Sequence, residues 1–172
     1  MSKAVLLSIR PNWCKLIWAG MKNVEVRKNC PKLETPFKVY IYCSGNSGWL
    51  MRSPMGLRKM DRKVIGEFIC DEIYKVDRDC VGFNFTGLKL DLPIYNGERD
   101  ELTTCLTDEQ LSKYLGTHPG WGWHISELKI YDRPLDLQDF TGLQKTRFGL
   151  RPVDIARPPQ SWCYVEEREC SE

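Results

Sequence analysis

Apolar and polar residues alternate with a period of two along most of this chain, a pattern that predicts β-strands more often than helices. Residues 4–9 form an apolar run with Ser8 as its one polar residue and predict a buried first strand. Residues 37–44 are apolar at every odd position and polar or aromatic at every even one. Further strands are predicted at residues 24–27, 63–76, 121–131 and 161–166. Within them, Gly66 indicates a bulge or a close approach of two backbones.

The stretch from residue 8 to residue 27 predicts a short helix followed by a charged strand. Pro11 suits the first helical position, where its missing N–H costs nothing. Gly20 suits the left-handed residue that ends a helix. Beyond it, K-N-V-E-V-R alternates, so its valines are expected in a core, with Glu25 and Arg27 on the opposite face. We therefore expect a carboxylate and a guanidinium side by side in a concavity that solvent reaches.

Two insertions interrupt this pattern. Residues 45–62 combine G-N-S-G, S-P and M-G with scattered cations and predict a long, partly mobile basic loop. Residues 77–105 are acidic and irregular or hairpin-like. A short helix follows, beginning with a capping box from Thr107 to Gln110.

The length and composition fit an ordinary globular protein. A chain of 172 residues, 42% hydrophobic and 28% charged, predicts one domain over residues 1–172. The net charge of +2 is nearly balanced, so any case for nucleic acid depends on where the charges lie. Many strands and few, short helices predict a mainly β (α+β) fold, a small barrel with appended helices.

The cysteines predict free thiols. The chain has eight, without a C-x-x-C pair, and neither His118 nor His124 completes a zinc spacing. It also shows no signal peptide and no long apolar run. We therefore expect a cytoplasmic monomer with no metal, no cofactor and no membrane association. A disulfide framework is the alternative that the even cysteine count leaves open.

The octapeptide G-M-K-N-V-E-V-R at residues 20–27 fits the pattern G-x-K-x-x-E-x-R and so resembles the ASCH domains, relatives of the PUA-like RNA-binding barrels. L-S-I-R-P before it resembles their opening strand and helix start. V-I-G-E-F-I-C-D-E-I and W-G-W-H-I-S-E-L are similar to later strands, and R-P-P-Q-S-W-C-Y-V to the closing strand of small phage and prophage ASCH proteins. The resemblance covers most of the chain outside the insertions and implies a PUA-like β-barrel with a few short flanking helices.

The resemblance also implies that Lys22, Glu25 and Arg27 line a cleft. Some ASCH members resemble amidohydrolases acting on acylated cytidine, others ribonucleases, and others non-catalytic nucleic-acid binders. The amidohydrolase branch has a threonine nucleophile where Glu25 stands. In an enzyme of this sequence, Glu25 would therefore act as a general base, with Lys22 and Arg27 holding anionic groups. The alternative is a salt bridge that closes the barrel rim.

Candidate contacts to nucleic acid are cations suited to phosphates, tryptophans suited to stacking on bases, and a glutamine suited to base edges. They are Arg10, Lys22, Arg27, Arg52, Arg58, Lys59, Trp121, Trp123, Arg151, Arg157 and Gln160. The alternative for the basic segments is a solvated face. Alternation puts both tryptophans on one strand face, which favours the core for at least one of them.

These observations favour a module that binds RNA or a modified nucleotide, since Glu25 offers no nucleophilic hydroxyl. A hydrolase acting on RNA or a modified nucleoside is the first alternative. A phage-type accessory protein that binds a host protein through its insertions is the second. Glu25→Gln is expected to separate the first two, because it removes a base while keeping the shape of the side chain.

Overall fold

The computed structural model describes residues 2–53, 56–78, 83–86 and 102–168. In chain order, its elements are β1 (Lys3–Ile9), α1 (Pro11–Trp18), β2 (Val24–Arg27), β3 (Phe37–Cys43), β4 (Leu50–Ser53), β5 (Gly56–Lys59), β6 (Lys63–Cys70), β7 (Ile73–Arg78), β8 (Phe83–Thr86), α2 (Asp108–Leu115), β9 (Gly120–His124), β10 (Ser126–Leu135), a 3₁₀ turn (Leu137–Asp139), β11 (Thr141–Thr146), β12 (Gly149–Asp154) and β13 (Trp162–Glu166). The predicted strands at residues 4–9, 24–27, 37–44 and 161–166 and both predicted helices are confirmed within a few residues at their ends. The strands predicted at residues 63–76 and 121–131 are each two strands, β6 and β7 and then β9 and β10, which belong to different sheets.

The chain divides into two compact units, each assembled from separate stretches of sequence. Unit 1 contains the described parts of Met1–Lys15, Phe37–Ile69 and Glu127–Glu172. Unit 2 contains the described parts of Leu16–Pro36 and Cys70–Ser126.

Unit 1 is built on a seven-stranded sheet in the order β10-β6-β3-β1-β13-β11-β12. The central strand β1 runs parallel to β3 and antiparallel to β13. Its apolar residues are wholly buried, as expected for a strand covered on both faces. One core cluster joins the sheet to the segment around the 3₁₀ turn and comprises Ala4, Leu6, Tyr40, Tyr42, Val64, Leu137, Phe140 and Val165.

Unit 2 contains a four-stranded sheet in the order β2-β9-β7-β8. Helix α2 packs on one face of it, where its Leu111 and Leu115 contact Val26 of β2 and Val76 of β7. The predicted capping box of α2 is confirmed, since the Thr107 hydroxyl accepts from the Gln110 amide at 3.2 Å. The predicted assignment of the valines of β2 to a core is also confirmed.

The predicted barrel is wrong, because the sheets are open. In the seven-stranded sheet the two edges are β10 and β12, which do not pair with each other. Each edge strand contains a proline, Pro134 in β10 and Pro152 in β12. Proline has no N–H for a ladder of hydrogen bonds and is confined to edge strands, so both prolines disfavour closure.

The predicted basic loop at residues 45–62 is in part a two-stranded hairpin, β4 and β5. At the base of this hairpin, the buried carboxylate of Asp61 accepts a hydrogen bond from the Ser47 hydroxyl at 2.8 Å and another from the Trp49 amide at 3.1 Å. Burial alone would raise the pKa of Asp61, but these bonds and one from the Gly48 amide outweigh it and lower that pKa. The loop therefore begins from a fixed anchor.

The other insertion, at residues 77–105, is described only in part. Strands β7 and β8 form a hairpin that enters it, and residues 79–82 and 87–101 lie outside the described residues. Residues 141–157, predicted only as polar and basic, contain the β11–β12 hairpin. No helix among the described residues has the length and apolar character needed to cross a membrane.

Candidate functional site

The end of α1 sets the geometry of the G-x-K-x-x-E-x-R motif. Gly20 adopts a left-handed φ of +70°, and its amide bonds the Ile17 carbonyl at 2.9 Å. The amides of Met21 and Lys22 both bond the Leu16 carbonyl, at 2.9 and 3.2 Å. These bonds close the helix and turn the chain directly into β2.

Glu25 lies between two cations. Its Oε2 is 3.1 Å from Lys22 Nζ, and its Oε1 is 2.8 Å from an Nη of Arg27. The three side chains are 7%, 1% and 11% exposed, in the order Glu25, Lys22 and Arg27. Each carboxylate oxygen thus accepts from a cation, and the group carries a net charge of +1. Taking a proton from a substrate would weaken both ion pairs, because it would remove the negative charge that Lys22 and Arg27 share.

The Lys22 ammonium donates to acceptors inside the protein. Besides Glu25, its ammonium donates to the carbonyls of Val24 and Thr104, each at 2.7 Å. An ammonium has three donors, so these three contacts are enough to satisfy it without a ligand. The neighbouring Asn23 adds a second link, because its side-chain oxygen accepts from the Thr103 amide at 2.7 Å. The first half of the motif therefore attaches the segment before α2 to β2.

Strand pairing brings the motif next to the predicted tryptophans. In the β2–β9 ladder, Glu25 stands opposite Trp123 and Arg27 stands opposite Trp121. On the other side of β9, Trp121 stands opposite Lys75 of β7. Because directly opposed residues share a sheet face, Arg27, Trp121 and Lys75 form one cross-strand row. We call it the Arg27–Trp121–Lys75 row.

The two tryptophans differ in burial. Trp123 has no exposed surface, whereas Trp121 is half-buried. Stacking on a base requires a ring face that solvent reaches, so Trp121 is the better candidate of the two. Lys75 at the end of the row is half-exposed and ion-paired to Asp77 at 2.7 Å. Lys75 was not among the predicted site residues, because in the sequence it is only one polar position of a predicted strand.

The opposite face of this sheet holds a second polar group. His124 Nδ1 is 2.7 Å from an Asp71 carboxylate oxygen, and Tyr74 donates to Glu72 at 2.6 Å. Burial, together with the Glu72 carboxylate, raises the pKa of Tyr74. His124 is thus a half-buried, hydrogen-bonded histidine. Among the described residues, no three His, Cys, Asp or Glu side chains form a group suited to a metal ion.

In unit 1, the predicted polar residues collect at one end of the seven-stranded sheet. Ile9 pairs with Cys43, Leu7 with Trp162, and Thr146 with Gly149. The last residues of β1, β3 and β11 therefore lie at the same end of the sheet as the first residues of β12 and β13. We call this the cationic end of unit 1, after the candidate cations that follow or precede these strand termini.

Several candidate residues follow these strand termini. Arg10 comes directly after β1, and Gln160 shortly before β13; both are exposed. Arg52 and Lys59 lie on the β4–β5 hairpin after β3, on the face that also exposes Leu50 and Leu57. Arg58 points to the other face of that hairpin and is half-buried, Arg151 is exposed on β12, and Arg157 is exposed in the connection to β13.

Carboxylates near the cationic end are already engaged. Asp61 is buried under its loop, and Asp136 is ion-paired to Lys63 at the start of β6. At the other end of the sheet, exposed Asp154 pairs in register with Thr141, and half-buried Glu166 pairs in register with Lys3.

The candidate residues thus form two groups. Lys22, Arg27, Trp121 and Trp123 share one sheet face of unit 2 with Glu25, and the remaining seven lie in unit 1. The aromatic residue at the tip of the β11–β12 hairpin, Phe148, was also absent from the predicted site. The sequence feature that could have identified Phe148 is the turn-like T-R-F-G segment between two polar strands.

The architecture is open and mainly β with two short helices, and its likeness to a solved ASCH structure shows that this chain has an ASCH-domain fold. The structure of ASCH from Zymomonas mobilis superposes with a TM-score of 0.50 at 19% identity, over 95% of this chain and 88% of that one. Two mutants of that protein give TM-scores of 0.48 and 0.47 at 17% identity, over 96% and 95% of this chain and 92% and 89% of theirs. No family model and no curated protein matches the sequence.

The family resemblance predicted from the motif is confirmed at the level of the fold. The likeness to phage and prophage proteins stays a prediction. An identity of 19% extends to the fold alone, so the roles of individual residues are argued from the geometry of this chain.

Proposed function

We propose that this protein binds single-stranded RNA, with the phosphates held at the cationic end of unit 1. The observation that carries the proposal is the convergence of exposed polar and cationic side chains from four separate chain segments. These are Arg10, the pair Arg52 and Lys59, Arg147, and Gln160. Backbone phosphates are spaced along a strand, and cations presented by several segments suit them better than one cluster does.

A modified nucleotide is the alternative ligand, and the Arg27–Trp121–Lys75 row supports it. A half-buried tryptophan between two cations offers a stacking surface beside charges suited to one phosphate. Arg27 of this row also belongs to the group of Lys22, Glu25 and Arg27, which as a whole carries a net charge of +1.

Binding without chemistry is favoured over hydrolysis by the state of Glu25. A general base must be within reach of a substrate proton and able to accept it. Here both carboxylate oxygens of Glu25 accept from cations, and the side chain is only 7% exposed. The hydrolase hypothesis is therefore less well supported than the binding hypothesis.

Fluorescence anisotropy of labelled single-stranded RNA at a series of salt concentrations tests the proposal. Each phosphate contact adds a slope of about −0.7 to log affinity against log salt. The double variant Arg52→Glu/Lys59→Glu should weaken binding and flatten the slope by roughly 1.4, the sum of two such contacts.

The matched control is Lys113→Glu/Lys129→Glu, which makes the same charge change at exposed residues that are not part of the cationic end. It should leave the slope nearly unchanged. Binding that is absent at low salt, or that ignores salt, would contradict the proposal and favour the host-protein alternative. Equal losses in both double variants would point to nonspecific attraction by net charge.

A further inference from the structure

The tip of the β11–β12 hairpin presents an aromatic ring to solvent. Phe148 is 85% exposed. Full burial of such a side chain would stabilise the fold, and here that gain is not made. Single exposed apolar residues are common on protein surfaces, so exposure alone does not define a site. The neighbours of this ring are what distinguish it.

The turn that carries Phe148 is fixed by its own hydrogen bonds. Thr146 and Gly149 close the ladder, leaving Arg147 and Phe148 as a two-residue turn. The Thr146 hydroxyl donates to the Gly149 carbonyl at 2.9 Å and accepts from the Phe148 amide at 3.2 Å. Gly149 has a φ of +117°, which a residue with a side chain rarely adopts. The ring is therefore held on an ordered turn.

One face of the ring is covered by a cation and the other is open. The guanidinium carbon of Arg147 lies 4.5 Å from the centre of the Phe148 ring. A ring covered on both faces would not remain 85% exposed, so the second face is in contact with solvent. A flat, open aromatic face backed by a guanidinium is a stacking surface for a π-system.

The surroundings of the ring carry positive charge only. Residues 144–151 read Q-K-T-R-F-G-L-R and contain no acidic residue. Lys145 and Arg151 project from opposite faces of the hairpin, and neither forms an ion pair with any other residue that the structure describes. The charge is complementary to a polyanion that passes over the tip.

We infer that Phe148 stacks on an unpaired base of bound single-stranded nucleic acid, while Lys145, Arg147 and Arg151 attract the flanking phosphates. The inference rests on the proposed function and adds to it a contact with the base, where the cationic end supplies contacts with the backbone. The hairpin tip lies at that same end, since β11 ends there. A lipid surface fits less well, because Leu150 is the one other large apolar residue within the turn and its flanking positions 144–151.

Phe148→Leu tests the inference, because it keeps an apolar side chain and removes the ring. Because stacking of a base on an aromatic ring contributes to binding free energy, loss of the ring should lower RNA affinity roughly 5- to 100-fold. The salt slope should not change, since no charge is lost. Phe148→Trp should retain affinity, and Leu150→Ala, an exposed apolar control on the same hairpin, should behave as wild type.

Two further readouts separate stacking from a general loss of binding. The fluorescence of 2-aminopurine in a labelled RNA should be quenched when the wild-type protein binds, and it should not be quenched by Phe148→Leu. An abasic oligonucleotide, which keeps the phosphates and lacks bases, should bind both proteins equally. Circular dichroism and thermal melting of each variant check that the exposed substitution leaves the fold intact.

The two proposals fail differently. If Phe148→Leu binds RNA as wild type does while Arg52→Glu/Lys59→Glu loses affinity, the stacking role is overturned and the proposed function stands. If the wild-type protein binds no RNA at low salt, both are overturned. Loss of binding to vesicles of anionic phospholipid in Phe148→Leu, with RNA binding unchanged, would assign the ring to a lipid surface instead.

Discussion

Replacing Lys22 by methionine decides whether this lysine supports the fold or contacts a ligand. Methionine has nearly the same length and removes only the charge and the donors. In the folded protein Lys22 is almost wholly buried and donates to Glu25 and to the carbonyls of Val24 and Thr104. Each of these three acceptors would lose its partner.

The expected loss is large because a buried ion pair would be broken from one side. Removing one member of a buried pair costs about 3–5 kcal/mol. Arg27 would still pair with Glu25, but Oε2 of Glu25 and two backbone carbonyls would lose the Lys22 donor, so we expect a loss of this size. Domains are stable by only about 5–15 kcal/mol, so this is a substantial fraction. For a chain of this size, 1 kcal/mol shifts the melting temperature by about 2–4 °C, which predicts a fall of roughly 6–20 °C.

Urea unfolding followed by tryptophan fluorescence, with thermal melts beside it, measures the loss. Lys75→Met is the matched control: its half-exposed ion pair with Asp77 should contribute at most about 1 kcal/mol. The double variant Lys22→Met/Glu25→Gln should lose less than the sum of the single variants, because the two residues interact directly. A Lys22→Met protein with wild-type stability and weakened nucleotide binding would refute this reasoning and make Lys22 a ligand contact.

Three further predictions follow from burial and packing. Gly66→Ala should destabilise unit 1, because its Cβ would overlap the Lys129 carbonyl oxygen of the adjacent strand; urea unfolding measures the loss. Asp61 has a lowered pKa in the folded protein, so its contribution is present above the unfolded pKa and lost as the pH falls through the folded value; Asp61→Asn should flatten the acid limb of a stability–pH curve. Burial raises the pKa of Cys70 to about 12 and of Cys163 to about 11, so Ellman's reagent at mildly alkaline pH should react with them only after unfolding, when all eight thiols are counted.

Local features of this fold were predictable and long-range pairings were not. The helix between Pro11 and Gly20 and the capping box at Thr107 depend on residues within one or two turns, and both are confirmed. The close approach expected at Gly66 is confirmed against β10. By contrast, the register that sets Trp121 opposite Arg27 joins residues more than 90 positions apart, and no local periodicity encodes it.

The same limit explains the errors on closure and on the basic loop. Whether a sheet closes depends on its two edge strands, and the prolines that mark β10 and β12 as edges are visible only once the strand order is known. The β4–β5 hairpin pairs with no other strand that the structure describes, and the side chains of β5 lack the strict alternation of a half-buried strand. Its anchor is Asp61, which acts across a loop of more than ten residues.

The geometry of β2 also changes what Glu25→Gln can test. A glutamine would keep one acceptor, but its amide NH₂ would face the remaining cation, and both Lys22 and Arg27 would lose the counter-charge. Lost turnover or binding in that variant is therefore interpretable only at a temperature where its unfolding curve shows the protein folded.

The spacing of G-x-K-x-x-E-x-R has a structural cause within unit 2. Gly20 ends the helix, and the Lys22 side chain reaches the Val24 carbonyl and the Glu25 carboxylate. Arg27 shares a strand face with Glu25 because the two are two positions apart. This arrangement would be stable without any ligand, so the motif by itself does not identify a binding site. The residue that distinguishes a site from a scaffold is Trp121, which lies beside the motif and keeps part of its ring exposed. If Trp121→Leu leaves stability unchanged and weakens nucleotide binding, the face is functional; if it changes neither, the motif is structural and the ligand binds at the cationic end alone.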